Sequence, residues 1–184
     1  MKHKTRLSLF NNSWYKPGKG FLVRIIWYFV NACLIKTAHP FSFLRIFLLR
    51  LFGAKIGEGV VIKPNVNVKY PWRLKIGNDV WIGENVWIDN LDDVTIADNV
   101  CISQGALLLS GNHNYKKQSF DLMIAPIIIE EGVWIGAKSI VTGGTICKSH
   151  AVLSVASVAP KLLEAYTIYQ GNPAVKIRER VIER

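Results

Sequence analysis

An aliphatic residue recurs at every sixth position through most of the chain, and a small or short aliphatic residue follows it four positions later. An α-helix would repeat about every 3.6 residues and a strand every second residue, so neither alone explains a period of six. The pattern instead predicts a short strand, a tight turn and another short strand. The aliphatic positions are Ile56, Ile62, Ile76, Ile82, Ile96, Ile102, Ile129, Ile135, Val141, Cys147 and Leu153, and the later small positions are Val133, Ser139, Thr145, Ala151 and Ser157.

Three such units close one lap of a triangular coil, about 18 residues long. Each aliphatic residue then points to the coil axis, and stacked laps bury a core that no single lap could bury. The first three laps begin at Ile56, Ile76 and Ile96, so each lap carries about two extra residues at one corner. The residues between the aliphatic positions are rich in Gly, Asn and Asp, which suit tight corners. The sequence therefore predicts a mainly β fold, a parallel β-helix of hexapeptide repeats with one decorated corner.

Charge divides the chain into an N-terminal segment and a balanced remainder. Residues 1–55 hold ten Lys or Arg and no Asp or Glu, so they account for the whole formal net charge of +10. We expect three parts: a basic amphipathic helical segment over 1–55, the β-helix over 56–160 with a projecting loop at 111–126, and a C-terminal tail over 161–184.

Two apolar, aromatic runs at 21–35 and 41–52 predict helices within the basic segment. Charged residues interrupt both runs, and neither reaches the roughly 20 residues that span a bilayer. Two interpretations remain open, and both can hold: the helices lie on an anionic membrane surface, or they pack on the end of the coil. Nucleic-acid binding is disfavoured because the basic residues sit among bulky aliphatic ones and no reader motif is present.

The three cysteines, Cys33, Cys101 and Cys147, are scattered and form no paired or metal-finger spacing. No cleavage site follows the basic N-terminus, so we expect no secretory signal. These features predict a cytoplasmic protein, with peripheral contact at the inner membrane face as the open alternative, and no metal site.

The repeat is interrupted once, and the interruption contains a histidine. The frame leaves the coil after residue 111 and returns at Ile129. Such an excursion projects as a loop, where function tends to reside. His113 stands at the root of this loop, and histidine is the side chain best able to accept and return a proton near neutral pH. His113 is therefore the candidate general base.

The chain resembles the hexapeptide-repeat acyltransferases of the left-handed β-helix class, and within them the colanic-acid-type O-acetyltransferases of polysaccharide biosynthesis. The loop motif GNHNY, the VWIGA motif and the GNPA motif are the most specific parts of the resemblance. The handedness of the coil is implied only by this resemblance, because general crossover rules favour the other hand. The matching segments are residues 49–57, 70–77, 81–88, 102–105, 111–115, 133–137 and 171–174.

The resemblance implies acetyl-CoA as donor and a homotrimer with active sites in the clefts between neighbouring coils. His113 would take the proton of an acceptor hydroxyl, and the backbone N–H of Ala137 would stabilise the developing oxyanion. The residues implied for the donor are Trp134, Gly136, Val155, Lys161, Lys176 and Arg178. The residues implied for the acceptor are Asp89, Asn90 and Tyr115.

The acceptor itself stays open between a sugar, a nucleotide-sugar and a lipid-linked glycan, in exopolysaccharide or O-antigen biosynthesis. Two other functions remain as alternatives: a non-catalytic scaffold trimer, and an acyltransferase that uses a longer acyl donor. A scaffold has no need of a base beside an oxyanion donor. A zinc carbonic anhydrase on the same coil would need three convergent histidines, and the coil region has only His113 and His150.

Overall fold

The computed structural model describes residues 4–183 and begins with helices. A 3₁₀ turn (Leu7–Leu9) precedes α1 (Phe21–Val30), a π-helical turn (Asn31–Ile35) and α2 (Ser42–Leu51). A second 3₁₀ turn (Pro71–Arg73) lies within the strands that follow. None of the helices in the described part of the chain is long and apolar enough to cross a membrane.

Short parallel strands follow and wind through three sheets in turn. The first sheet contains β1 (Lys55–Ile56), β4 (Leu74–Ile76), β7 (Val94–Ile96), β12 (Ile127–Ile129), β15 (Ile146–Cys147) and β17 (Leu162–Leu163). The second contains β2 (Val61–Ile62), β5 (Trp81–Ile82), β8 (Cys101–Ile102), β13 (Trp134–Ile135), β16 (Val152–Leu153), β18 (Thr167–Gly171) and β19 (Ala174–Glu179). The third contains β3 (Asn67–Val68), β6 (Trp87–Asp89), β9 (Leu107–Leu109) and β14 (Ile140–Thr142).

The predicted repeat frame is confirmed by the position of its side chains. The aliphatic positions lie on the axis, where Ile82 and Ile96 are 1% exposed and Ile102, Ile135 and Leu153 are fully buried. The small positions, such as Ser139 and Thr145, are fully buried as well. The register confirms the lap length too, because Ile56 pairs with Ile76 and Ile76 with Ile96. The fold is therefore the predicted mainly β parallel coil with an N-terminal helical segment.

The three corners of the coil differ in length and backbone geometry. We name them by the sheets they join: first to second is the first corner, second to third the second corner, and third to first the third corner. Asn and Asp adopt positive φ at the first two corners, for example 54° at Asp79 and 58° at Asn85, as tight corners require. The extra residues of the early laps fall at the third corner, between Val68 and Leu74 and between Asp89 and Val94.

Helices α1 and α2 pack against the first laps of the coil, and the Ile62 N–H of the coil donates to Ser42 Oγ of α2 at 2.8 Å. Trp27 is 3% exposed, and its indole N–H lies 3.0 Å from the carbonyl of Val68 and 2.9 Å from that of Lys69. Arg45 is fully buried and donates to the carbonyls of Ile35, Thr37 and His39. The packing interpretation of these helices is thus correct for their inner side.

The predicted C-terminal tail over 161–184 is wrong, because the coil continues beyond residue 160. Strands β17 and β18 add another lap to two sheets, and β19 turns back antiparallel to β18. Leu163 is fully buried and Tyr169 is 7% exposed, so both occupy core positions. The prediction failed because Cys147 pairs with Leu163, which is 16 residues later rather than 18, and because an aromatic residue replaces the aliphatic one at position 169.

Candidate active site

The projecting loop is a β-hairpin inserted at the third corner. Strand β10 (Gly111–His113) pairs antiparallel with β11 (Leu122–Ile124), and His113 lies opposite Leu122. The neighbouring strands β7 and β12 still pair in the first sheet, with Ile96 opposite Ile129. The hairpin therefore leaves the coil without interrupting its stack, and it holds His113 on regular structure.

Contacts on three sides fix the imidazole ring of His113. Its Nδ1 lies 2.9 Å from the carbonyl oxygen of Phe120, whose backbone has a φ of 52°. The ring stacks on that of Phe120 at 4.4 Å and 8°, and the ring of Phe10 lies 5.6 Å away. Because a carbonyl oxygen only accepts, Nδ1 is the protonated nitrogen, and the lone pair of the neutral ring is on Nε2. This tautomer is the one that a general base requires.

A cavity of about 540 Å³ adjoins His113, and the N-terminal segment forms one of its walls. We call it the His113 cavity. Its coil and hairpin side consists of Lys69, Tyr70, Leu91, His113 and Leu122, and its N-terminal side of Phe10, Asn12, Tyr15, Pro17 and Arg24. Most of this second wall could not be predicted, because residues 4–20 carry no hydrophobic period.

Hydrogen bonds hold residues 6–17, here called the N-terminal strap, across the third corner. The backbone N–H of Arg6 donates to Gln118 in the hairpin at 2.8 Å. The hydroxyl of Tyr15 donates to the carbonyl of Leu91 at 2.7 Å, and the indole N–H of Trp72 donates to that of Pro17 at 2.6 Å. Burial raises the pKa of Tyr15 well above its usual range, so this hydroxyl remains a donor at neutral pH.

The three residues predicted to hold the acceptor lie in different environments. Asp89 lines an adjoining cavity of about 350 Å³, and its carboxylate pairs with Lys69 at 2.8 Å. Asn90 is fully buried, and its amide bonds to both the N–H and the carbonyl of Tyr70. In this structure Asn90 therefore shapes the third corner and does not line the His113 cavity. Tyr115 is 76% exposed near the hairpin tip and is likewise not among the residues that line the His113 cavity.

A second concave surface, the Trp134 groove, follows the second corner and has a volume of about 470 Å³. It contains four of the predicted site residues, Trp134, Gly136, Ala137 and Val155. A Cβ at Gly136 would come within 2.7 Å of the carbonyl oxygen of Leu153, so only glycine fits this lap-to-lap contact. The indole N–H of Trp134 donates to Ser103 Oγ at 2.9 Å, which fixes the ring as one wall.

The backbone N–H of Ala137 donates to no acceptor among residues 4–183. Gln104 and Val155, at the equivalent corner position of the laps on either side, likewise have no acceptor for their N–H groups in the described chain. Gln104 and Val155 are exposed and Ala137 is half-exposed, so the three N–H groups are open to a ligand that supplies acceptors.

The three predicted basic residues lie outside the Trp134 groove. Lys161 reaches across the third corner to the carbonyl of Gly143. Lys176 pairs with Glu164 at 3.3 Å, and Arg178 lies on β19, opposite Ile168. Lys176 and Arg178 belong to the same sheet as Trp134 but lie beyond the groove, so in this structure they do not contribute to its walls.

His113 and Ala137 lie at different corners of one coil. The hairpin leaves the third corner, whereas Ala137 follows β13 at the second, and the two cavities have no lining residue in common. A single chain therefore presents the candidate base and the candidate oxyanion donor in two separate half-sites.

No known family profile matches the chain, but solved structures share its fold. A hexapeptide-repeat acetyltransferase of Vibrio cholerae superposes with a TM-score of 0.78 over 86% of this chain and 90% of that one, at 22% identity. A galactoside acetyltransferase in complex with coenzyme A gives a TM-score of 0.77 over 86% of this chain and 80% of that one, at 24% identity. These comparisons define the fold as that of the hexapeptide-repeat acetyltransferases.

A relative with higher sequence identity defines the family more specifically. The chain is 38% identical over 168 residues to a protein named as a putative colanic acid biosynthesis acetyltransferase, WcaF of Escherichia coli K12, over 91% of this chain and 92% of the relative. It is also 27% identical to the galactoside O-acetyltransferase of the same organism, over 72% of this chain and 66% of that protein. The chain belongs to the colanic-acid-type hexapeptide-repeat acetyltransferase family, and it is an enzyme of the acyltransferase class.

Proposed function

We propose that this protein transfers an acetyl group from acetyl-CoA to a sugar hydroxyl during polysaccharide assembly, with His113 as general base. The observation that carries the proposal is the contact of His113 Nδ1 with the Phe120 carbonyl, because it leaves the Nε2 lone pair to accept a proton, and His113 lines a cavity of about 540 Å³. Acetyl-CoA is the donor that the family membership supports, and a solved relative of the same fold was crystallised with it.

The chemistry follows from the two half-sites. Nε2 of His113 removes the proton from the acceptor hydroxyl as its oxygen attacks the thioester carbonyl, and the carbonyl π electrons move onto oxygen. The Ala137 N–H stabilises this oxyanion, which then re-forms the carbonyl and expels the thiolate of coenzyme A. The imidazolium of His113 returns its proton to that thiolate. General-base catalysis contributes roughly 10²- to 10⁴-fold, and loss of one oxyanion donor costs about 3 to 4 kcal/mol.

The separation of the half-sites supports a homotrimer. In a three-fold ring, each Trp134 groove would face the hairpin of the neighbouring copy, so that three complete sites form between chains. The second sheet also presents an outward row of bulky side chains, in which Trp81 pairs in register with Cys101 and Cys101 with Trp134. Trp81 is 60% exposed and Trp134 47% exposed in one chain. Packing between copies would bury part of this row.

The donor would lie along the row of unpaired N–H groups in the Trp134 groove. Val155 and Ala137 would donate to the carbonyl oxygens of the extended pantetheine arm and the thioester. Beyond the groove, Lys176 and Arg178 lie in the same sheet and could approach the phosphates, with Lys161 as a third candidate. Among the described residues, no cluster of three His, Cys, Asp or Glu side chains is positioned to hold a metal ion.

The predicted acceptor residues keep their roles within this proposal. Asp89 would bind a sugar hydroxyl from the cavity that adjoins the His113 cavity, and Tyr115 would stack on a sugar face if the hairpin tip closes over it. Asn90 would act indirectly. Its amide holds the backbone of Tyr70 at the third corner, and the sugar would contact the surface of that corner.

The outer side of the helical segment supports contact with the cytoplasmic face of a membrane. Phe21, Leu22, Phe29, Phe43 and Phe47 are each 60% or more exposed, and residues 1–55 carry ten basic and no acidic side chains. Apolar side chains combined with positive charge bind the surface of anionic bilayers. A lipid-linked glycan would be accessible at such a surface.

The test is coenzyme A release from acetyl-CoA by the purified protein with a panel of sugars, nucleotide-sugars and lipid-linked sugars. His113→Ala should lower the transfer rate by at least about a hundredfold. Lys116→Ala, an exposed change on the same hairpin, is the matched control and should leave the rate near wild type. A His113→Ala rate within about tenfold of wild type would remove His113 as base. A faster reaction with a longer acyl donor than with acetyl-CoA would reassign the donor.

A further inference from the structure

Arg24 on α1 is a cation without a partner. Its Nε is buried and makes no hydrogen bond, and no carboxylate in the described chain lies within ion-pair distance of its guanidinium. The ring of Phe21 lies 6.0 Å from the guanidinium carbon. Because a buried donor without a partner costs free energy, the site favours an anion that would accept a hydrogen bond from this Nε.

Three concave surfaces meet at this residue. Arg24 lines the His113 cavity, and together with Lys69 and Tyr70 it also lines the adjoining cavity that contains Asp89. On its other side it lines a cleft of about 490 Å³ on the outer side of α1, which we call the α1 cleft. The remaining walls of the α1 cleft are all apolar or aromatic: Phe21, Ile25, Tyr28 and Phe29. Arg24 thus separates an apolar cleft from the cavity that adjoins the base.

The charges around the His113 cavity leave Arg24 as its free cation among the described residues. Lys69 is engaged by Asp89 at 2.8 Å, and nearby Arg73 lies 3.5 Å from Asp92 and 3.6 Å from Asp93. A guanidinium binds phosphate oxygens through two parallel hydrogen bonds, which suits it to hold a phosphate at the boundary between a sugar and an apolar chain.

Building on the proposed function, we infer that the acceptor is a sugar linked through phosphate or diphosphate to a lipid. Arg24 binds the phosphate, the α1 cleft takes the first part of the hydrocarbon chain, and the sugar enters the His113 cavity. The order of these three sites along the protein matches the order of the three parts in such a molecule. Arg24 is then a specificity-determining residue of the acceptor site.

The experiment measures binding in the absence of acetyl-CoA, so that its result does not depend on the transfer reaction. The probes are farnesyl diphosphate, inorganic diphosphate, UDP-glucose and octyl glucoside, titrated calorimetrically into the full-length protein. Farnesyl diphosphate should bind more tightly than the other three. Arg24→Gln should weaken its binding by about tenfold or more, which is the usual loss for a charged hydrogen bond.

Three further variants separate the contributions of the hydrocarbon chain, of net charge and of the guanidinium. Phe29→Ser should weaken the binding of farnesyl diphosphate but leave that of inorganic diphosphate unchanged, because only the hydrocarbon chain of the probe contacts the α1 cleft. Lys19→Gln removes the same charge from an exposed position just before α1, and it should leave both probes unchanged. Melting curves verify that each variant is folded, and Arg24→Lys, which keeps the charge but loses the fork, should give intermediate binding.

Several outcomes would overturn the inference. Equal weakening by Lys19→Gln and Arg24→Gln would mean that bulk charge attracts the probe. Tighter binding of UDP-glucose than of farnesyl diphosphate would indicate a nucleotide-sugar acceptor, and tight, Arg24-independent binding of octyl glucoside would indicate a neutral one. The His113→Ala variant should bind farnesyl diphosphate as wild type does. Absence of acetyl transfer in a protein that still binds farnesyl diphosphate through Arg24 would contradict the proposed function alone. Acetyl transfer in a protein that does not bind farnesyl diphosphate through Arg24 would contradict this inference alone.

Discussion

The coil and the helical segment contain similar apolar residues, but the coil buries them and the outer side of the helices exposes them. In the coil, Ile82, Ile102 and Leu153 are at most 1% exposed, because the six-residue period matches the geometry of the axis. On the outer side of the helices, comparable side chains are open to solvent: Leu22 is 73% exposed and Phe43 70% exposed. The buried apolar residues of the coil stabilise the fold, whereas the exposed apolar residues of the helices indicate a surface that contacts another molecule or a membrane.

Charge differs between the two regions in the same way. The coil balances its charges with pairs between laps, such as Lys148 with Glu130 at 2.8 Å. The segment 1–55 has no acidic residue that could balance its ten basic ones. Most of its described basic residues and several of its aromatic residues are exposed, which is the combination that favours binding to an anionic membrane surface.

A charge placed in each region should give the largest difference between them. Ile135→Asp should unfold the coil, because a buried carboxylate without a partner costs several kcal/mol. Phe43→Asp, on the exposed side of α2, should leave the melting temperature within a few degrees of wild type. Thermal unfolding followed by circular dichroism measures both. A folded Ile135→Asp variant with an unchanged melting temperature would contradict the repeat frame.

The junction between the regions should give the next largest effect. Trp27→Ala removes the main aromatic contact of α1 with the coil, and similar truncations cost about 3 to 5 kcal/mol. The loss should release α1 and the N-terminal strap while the later laps stay folded. Hydrogen exchange should then rise over residues 6–35 and stay low over residues 127–153. A uniform rise across both ranges would mean that helices and coil unfold as one unit.

Substitutions on the outer side of the helices should have a smaller effect, which concerns membrane binding. Wild-type protein should co-sediment with vesicles that contain anionic lipid, and the bound fraction should fall as salt shortens the Debye length. Replacing Phe29 and Phe47 together by Ser should lower the bound fraction at every salt concentration, since apolar insertion is not screened. Leu162→Ser, an exposed apolar position on the coil, is the control and should leave the bound fraction unchanged. Binding that is absent at low salt would limit these helices to a structural role.

The smallest effect concerns an ion pair within the coil. The ammonium of Lys148, together with hydrogen bonds from Ser149, holds the pKa of Glu130 below its usual value. A lowered folded-state pKa stabilises the fold above the unfolded-state value, and this stabilisation is lost as the pH falls through the folded-state value. Lys148→Ala should therefore cost about 0.2 to 1 kcal/mol at pH 7 and almost nothing at an acidic pH where Glu130 is protonated in the folded protein. Denaturant titrations at both pH values measure the difference, and an equal cost at both would contradict the assignment.

The hexapeptide period was sufficient to predict the coil, its axis residues and its decorated corner. It failed at Leu163, where the lap shortens. It also could not foresee that the Asn90 amide holds a turn, because the sequence does not distinguish such an amide from one that binds a ligand. The site roles of Trp134, Gly136, Ala137 and Val155 were implied by the resemblance to the hexapeptide-repeat acyltransferases, and the structure brings these four residues together in one groove. The N-terminal strap was not, since its position depends on isolated contacts, such as that of Phe10 with His113, which follow no period.

One active site should need two chains, with His113 from one copy and the Trp134 groove from its neighbour. The most direct measurement mixes two inactive variants. His113→Ala lacks the base, and Ala137→Trp fills the Trp134 groove, which the half-exposed Ala137 lines. A melting curve first verifies that Ala137→Trp is folded. The two variants are then co-expressed with different tags, and the mixed oligomers are purified through both tags in turn.

In a ring of three chains that contains both variants, about one site in three would pair an intact His113 with an intact groove, because each mixed ring has one such junction. We therefore predict that the mixed oligomers recover roughly a third of the wild-type rate of acetyl transfer, whereas each variant alone stays at least about a hundredfold below it. Mixed oligomers no more active than the separate variants would contradict a site shared between chains, because they would place both halves of the active site in a single chain.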